Sequence, residues 1–581
     1  MKKNRKLIRR KLAFAPIITA IGALLVLGAG ISPAAGGGGD LFKAAESRTL
    51  EASAPTAPGK TLHIEANEAA LSITVGSDKD VTVDGVVEVG DNDKVVVDYF
   101  LENTKLVLEP VSDGLRLRLV SPMDEMAKLT DRPPRTGIFQ RFYKGNKFVF
   151  KLSFAARLNI RIPARHSLDI DNAYGDIKVR GITGRLDAAN RSGKIQVEEC
   201  GGELFIMNSY GPVEVPGFAG PVDVKNSSGG VTLRDVKGNA RVENSYDAVR
   251  FDRIGGNIAV SSKSAAVTGS AVDGDCDITS SYDKVEVKGV KGKLTVRGPS
   301  CAVTAEDVLL GADIENSYAA VRAVRIGSGL RVSGNSNAVT ADDIGGDAFI
   351  RNSYEAVTAS KIRGSLEVDA SSAGVSVKTV TGNAKIKTSY ETVAVEDVGG
   401  WLDIQTQSSP VRAIGVKSDA SIVTSYSRVE ARQIGGKLSV DASSGAVSAE
   451  DIGGDVKVKN SYAAVVLRKT SGSIEVRGNS SPINVDLIQR IPKGAKIDLF
   501  TTYETVRLTL PEDADVVVAV KAEYGNISSD FPVFHSGIEA SKFQEATAKG
   551  SIPVRIETSS GDIIVRGRAE KLQAGDENGQ G

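Results

Sequence analysis

Apolar and polar residues alternate through most of the chain. In VKVKNSYAAVVL, Val456 and Val458 and then Val465 and Leu467 fall on one side, with polar residues between. That period of two predicts strands rather than helices. The pattern also recurs at long range. From Ile177 to Ile483 every eighteenth residue is Val or Ile, through 18 successive positions. A β-branched residue at one phase of each repeat suits a pleated, buried surface. Eighteen residues make one coil of a β-solenoid, with two or three short strands and tight corners. Coils stacked about 4.8 Å apart predict a rod about 80 Å long over this span. The expected fold class is all-β, a single long parallel β-helix whose ends need caps.

A second column sharpens the repeat. Tyr174, Tyr210, Tyr246, Tyr282, Tyr318, Tyr354, Tyr390, Tyr426 and Tyr462 alternate strictly with Ser at the same phase, so the true repeat is a 36-residue double coil. One reading is steric: a Tyr ring is wider than one layer of about 4.8 Å, and the Ser layer makes room for it. The other is functional: Tyr residues about 9.6 Å apart offer aromatic faces to a glycan or a partner. These nine residues are the candidate binding ladder. Asn172, Asn190, Asn208, Asn226, Asn244, Asn316, Asn352 and Asn460 share another column, otherwise filled by Ser, Gly, Thr or Ala. Small, left-handed-tolerant residues at one phase predict a recurring turn. Cys200 and Cys276 fall in apolar columns and read as buried small hydrophobes, while Cys301 aligns with Ala319 beside a corner, and none of the three is a metal or nucleophile candidate.

The flanks differ. Residues 2–11 carry seven bases and no acid, and Leu12–Ala35 has no charge. The apolar run reaches the length of a bilayer span, with Ser32 and Ala34 also placed for signal cleavage. Residues 1–40 are therefore expected to be an uncleaved membrane anchor or a cleaved signal. Either leaves the bulk of the chain outside the cytoplasm. Residues 41–60, rich in Ala, Pro and Ser, read as a linker. Residues 61–165 read as an irregular β cap with a basic, aromatic loop at 121–147. The regular solenoid is expected over 166–487. Residues 488–568 read as irregular C-terminal coils and a cap, because five extra residues break the register. The tail 569–581 reads as disordered.

Net charge is zero, with 72 bases and 72 acids. That argues against nucleic-acid binding. The seven N-terminal bases leave −7 for the remainder. Three cysteines without paired spacing exclude a disulfide scaffold and a CxxC zinc site. The outward column through Lys459 mixes both signs without an acidic cluster, as a solvated face with cross-coil ion pairs does. His63, His166 and His535 all lie outside the regular coils. Asp342 and Asp343 form an acidic pair that reads as ordinary surface. No nucleophile elbow, P-loop or zinc-protease motif occurs. No cofactor, metal or catalytic residue is expected.

RIPARHSLDIDNAYGDIKV (161–179), the recurring NSYxxV and SSGxV units, and IETSSGDIIV (556–565) resemble a bacterial adhesin-like family of unknown function built of β-strand repeats. TLHIEANEAALSITVGSDKDVTVDG (61–85) resembles its opening strands. The resemblance implies an envelope-located β-solenoid and brings no catalytic residues. The leading expectation is a non-enzymatic, membrane-tethered envelope protein, monomeric, acting as an adhesin or rigid scaffold toward an envelope polymer, a cell surface or a protein. The alternatives are a polymer-forming β-helix scaffold, an envelope-signalling accessory and a polysaccharide-active β-helix enzyme.

Overall fold

The computed structural model describes residues 45–91, 93–123, 152–487, 491–531 and 550–568, and the backbone alone at 143–144, 147–148 and 533–535. The anchor or signal expected at 1–40, most of the 121–147 loop and the tail 569–581 lie outside the described residues. No helix among the described residues is long and apolar enough to cross a membrane. The chain divides into two compact units, one ending at Gly220 and the other beginning at Pro221.

In the first unit β1 (Glu46–Pro55), β2 (Thr61–Val75), β3 (Asp80–Gly90), α1 (Lys94–Asn103), β4 (Lys105–Val111), β5 (Gly114–Val120), β6 (Tyr143–Lys144), β7 (Lys147–Phe148), β8 (Ser153–Ile162), β9 (Ser167–Tyr174) and β10 (Ile177–Arg180) follow in order. Strand β2 runs through both sheets of the solenoid. Leu62 and Ile64 pair with Leu168 and Ile170, and Leu71 and Ile73 pair with Ile177 and Val179. Its opposite edges pair in parallel with β5 and β8. The next neighbours outward, β4 and β3, are antiparallel, and β1 is antiparallel to β3. Reversed strands end the parallel ladder and close this end against edge pairing.

Two expectations for this unit are corrected. The linker expected over 41–60 holds β1. Only Leu50 of that strand is buried, so an edge strand carries linker-like composition. The β reading of residues 61–120 missed α1. Asp93 caps its N-terminus by accepting from the Val95 N–H, and Val96, Val97, Phe100 and Leu101 form its buried face. Arg48 on β1 donates to the Leu101 carbonyl at its C-terminal end, where a cation is favoured.

In the second unit each 18-residue coil has two strands. Val249–Ile254 is followed by Ile258–Ser262, and these pair in parallel with Val267–Val272 and Cys276–Thr279. The two sheets enclose a single file of side chains. Val249, Phe251, Ile254, Ile258 and Val260 all point inward and are buried. Large and small core residues alternate along the file, as in Ala312, Leu330, Ala348, Leu366, Ala384 and Leu402. The core therefore shares the 36-residue period.

The left-handed residues stand in a different column from the one expected. Asp235, Arg253, Ala271, Gly289, Asp307 and Arg325 all have positive φ, as do the residues at this phase up to Lys469. Each forms a bulge that resets the alternation, so that Val231, Leu233 and Val236 all face inward. The Asn column is instead buried, with its amides turned into the corner.

The C-terminal coils are out of chain order. Val554 and Ile563 pair with Ile497 and Val506 on one side. On the other side they pair with Val518 and Ile527. The segment 552–568 thus lies between two coils that precede it in sequence. The five-residue break in register is the start of this rearrangement.

Candidate functional site

NSY units build the corners before Tyr210, Tyr246, Tyr318, Tyr354 and Tyr462, and Ser280, Thr388 and Thr424 take the place of Asn at the corners of Tyr282, Tyr390 and Tyr426. The Asn side chain turns inward beneath the corner. Asn352 Nδ2 donates to the carbonyls of Asn337, one coil earlier at 2.8 Å, and of Glu355 at 2.6 Å, while its Oδ1 accepts from the Ser353 N–H. Asn316 Nδ2 likewise donates to the carbonyls of Cys301 and Ala319. The carbonyls of Asn337 and Cys301 would otherwise be buried without this donor, at about 1–3 kcal/mol each, while those of Glu355 and Ala319 are part-buried. The backbone is also tied to the previous coil, with Tyr354 N donating to Asn335 O and Ser372 N to Ser353 O.

A corner fixed in this way points the following Tyr into solvent. Tyr210 in the first unit is 66% exposed, and the seven residues from Tyr246 to Tyr462 in the second are 61–72% exposed. Tyr174, at the end of β9, is the most covered at 39%. Among the described residues, none of these phenol hydroxyls makes a hydrogen bond. The intervening Ser300, Ser336, Ser372, Ser408 and Ser444 are half-buried and Ser264 is exposed, each in the layer between two Tyr layers, where a short side chain leaves a gap. The alternation persists where chain order fails. Tyr524 N donates to Ser559 O, and Ser560 N to Thr502 O. Ser560 therefore sits between the layers of Tyr503 and Tyr524, both of which are exposed.

Other candidates are occupied. Asp342 accepts from Ser360 Oγ at 2.7 Å and meets Lys361, and these contacts hold its carboxyl below the usual range. Asp343 pairs with Arg363. In the column through Lys459, Arg351 meets Asp369 at 3.2 Å and Asp441 meets Lys459 at 3.9 Å. Such exposed pairs contribute about 0–1 kcal/mol each. Cys200, Cys276 and Cys301 are buried, and burial pushes the Cys276 thiol up to about 12, which removes it as a nucleophile at neutral pH. His63 lies between Asp113 and Asp169, at 3.1 and 2.9 Å. His166 is buried with Nε2 against Thr56 Oγ1. Only backbone is described at His535. Among the described residues no group of three or more His, Cys, Asp or Glu could hold a metal ion.

One exposed aromatic was missed. Trp401, the only Trp of the chain, is 43% exposed beside a shallow groove with Lys437, Asp455, Lys457 and Glu475 on its walls. Its column otherwise carries small or charged corner residues, and that mismatch was the available signal. The groove's charges are paired, Lys437 with Asp455 and Lys457 with Glu475.

No curated protein and no solved structure matches the chain. Residues 356–566 match the family model Toastrack DUF4097, so this stretch of the solenoid is similar to a repeat domain of unknown function.

Proposed function

We propose that the chain is a non-enzymatic scaffold of the cell envelope, held at the membrane by its N-terminal segment. Its solenoid presents the Tyr row as an adhesive or interaction surface. The observation that carries this reading is the row itself: exposed rings at constant phase, with hydroxyls unpartnered among the described residues. Aromatic side chains with one apolar body and one polar tip are the residues that dominate interfaces. The N-terminal basic block and the apolar run after it support membrane attachment.

The test is capture of envelope material by the full chain, compared with a variant carrying Tyr318→Ser, Tyr354→Ser and Tyr390→Ser. Loss of capture by a folded variant is expected. Equal capture by both proteins would overturn the role of the row. New reducing ends on incubation with envelope polysaccharides would overturn the non-enzymatic reading.

A further inference from the structure

The row has teeth and gaps of one period. Teeth recur about every 9.6 Å, and a Ser layer lies about 4.8 Å from each. Crowding does not require the gaps. Aromatic rings stack in successive layers of about 4.8 Å in cross-β ladders, and these rings stand in solvent rather than in a packed core. The alternation of Ala and Leu in the core accounts for a two-coil unit, but it leaves open why the exposed member is Tyr in one coil and Ser in the next. Ser560 adds weight, because it enters from downstream to keep Tyr503 and Tyr524 apart.

We propose that this surface is self-complementary, and that two copies of the chain pair through it with the Tyr residues of each entering the Ser gaps of the other. The proposal rests on the Tyr row as an interaction surface and names its partner. A twofold axis perpendicular to the row, passing midway between a Tyr layer and a Ser layer, brings every tooth opposite a gap. Interdigitated rings then lie about 4.8 Å apart along the row, within the roughly 4.5–7 Å range of favourable aromatic pairs. The area is sufficient. A Tyr offers roughly 200 Å², so seven at about two-thirds exposure present about 900 Å², against roughly 800 Å² per partner in a standard interface. Charge allows it. Along this corner Asp247, Asp283, Glu355 and Glu391 are offset by Lys263, Lys284 and Arg428, so two copies meet with little net repulsion. The Ser hydroxyls in the gaps lie where phenol hydroxyls need partners.

The experiment is sedimentation velocity of the full chain in detergent over a concentration series. Two variants accompany it. Tyr354→Ser with Tyr390→Ser removes teeth, and Ser336→Tyr with Ser372→Tyr fills gaps. Circular dichroism and a thermal midpoint establish that each is folded. A wild-type dimer that dissociates on dilution is expected, with both variants raising its dissociation constant by at least about tenfold. A wild type that is monomeric throughout, or a gap-filled variant that dimerises as well as wild type, overturns the proposal. If the wild type is monomeric yet captures envelope material through its Tyr residues, the occupant is foreign. The pairing then falls while the scaffold reading stands. If removing teeth changes neither association nor capture, both fall.

Discussion

Phe251 projects into the space left by Gly269, its in-register neighbour one coil on, and a Cβ at Gly269 would overlap the Phe251 ring. The largest side chain of this inward column therefore depends on the smallest. Gly269→Ala is expected to destabilise the second unit by about 1–3 kcal/mol through overpacking. Combining it with Phe251→Val is expected to recover most of that loss. Urea unfolding of the two single variants and the double variant gives the coupling. Additive effects would show that the two positions do not share one space.

The bulge column gives a prediction of opposite sign. Thr379 is β-branched and holds φ +60°, a conformation that costs L-residues roughly 1–2 kcal/mol. Thr379→Gly is expected to raise stability by about 1 kcal/mol, the relief of strain exceeding the entropy glycine adds to the unfolded chain. The same change at Val377, which is buried on the inward face, should destabilise by several times that amount. Thermal midpoints of the two variants decide it.

The solenoid was legible because each apolar column repeats at 18 residues, and in-register pairing makes identical phases stack. The phase of the left-handed bulge was not legible. Its occupants run through Asp, Arg, Ala, Thr and Lys, held at positive φ by the coils on either side rather than by their own preference. The Asn column marks the recurring turn it predicts, but the residues of positive φ stand at the bulge instead, because a buried amide at a corner and a left-handed turn favour the same residue type. Helix α1 was obscured by three consecutive valines, although Asp93 and the spacing of Val96, Val97, Phe100 and Leu101 carried its signature. The Tyr ladder was fully legible as positions, and exposure needed the corner geometry.

Asn352 tests that corner. Asn352→Ala leaves the Asn337 and Glu355 carbonyls without their donor, and a cost of about 1–3 kcal/mol is expected. Asn352→Thr is expected to cost less, because Thr388 fills the same phase and donates from Oγ1 to Ala373 O at 2.8 Å. Chemical denaturation ranks the two variants. Equal losses would mean that the amide works by filling volume.

The two described histidines have opposite pH dependences. Burial opposes protonation of His63, but hydrogen bonds to Asp169 and Asp113 outweigh it and hold its pKa above the ordinary 6.5. Its contribution is fully present below about 6.5 and is lost as pH rises through the folded value. Burial alone depresses His166 below 6.5. The unfolded chain then takes up the proton more readily, so this contribution is lost as pH falls below about 6.5. His63→Gln should flatten the loss of stability on the alkaline side and leave the acid side unchanged. Imidazole titration by NMR should place His63 above 6.5 and His166 below it. A reversed order would exclude the bridge between Asp113 and Asp169.

Ile563 is buried, with Val506 as its neighbour on one side and Ile527 on the other. The strand Ile527–Ser529 has no other strand pairing among the described residues. Its protection therefore depends on a segment that follows it in the chain. Ile563→Ala should cost about 2–5 kcal/mol locally and raise amide exchange in both Val506–Pro511 and Ile527–Ser529. Val485→Ala, one coil before Val506, should leave Ile527–Ser529 nearly unchanged, because two coils separate them. The coil 516–529 cannot complete its pairing until 552–568 has inserted, so it should also be the last part of this end to gain protection during refolding. Pulsed exchange reads that order directly. Protection appearing at Ile527 before Ile563 would mean that the coils assemble in sequence order and that the intercalated arrangement is wrong.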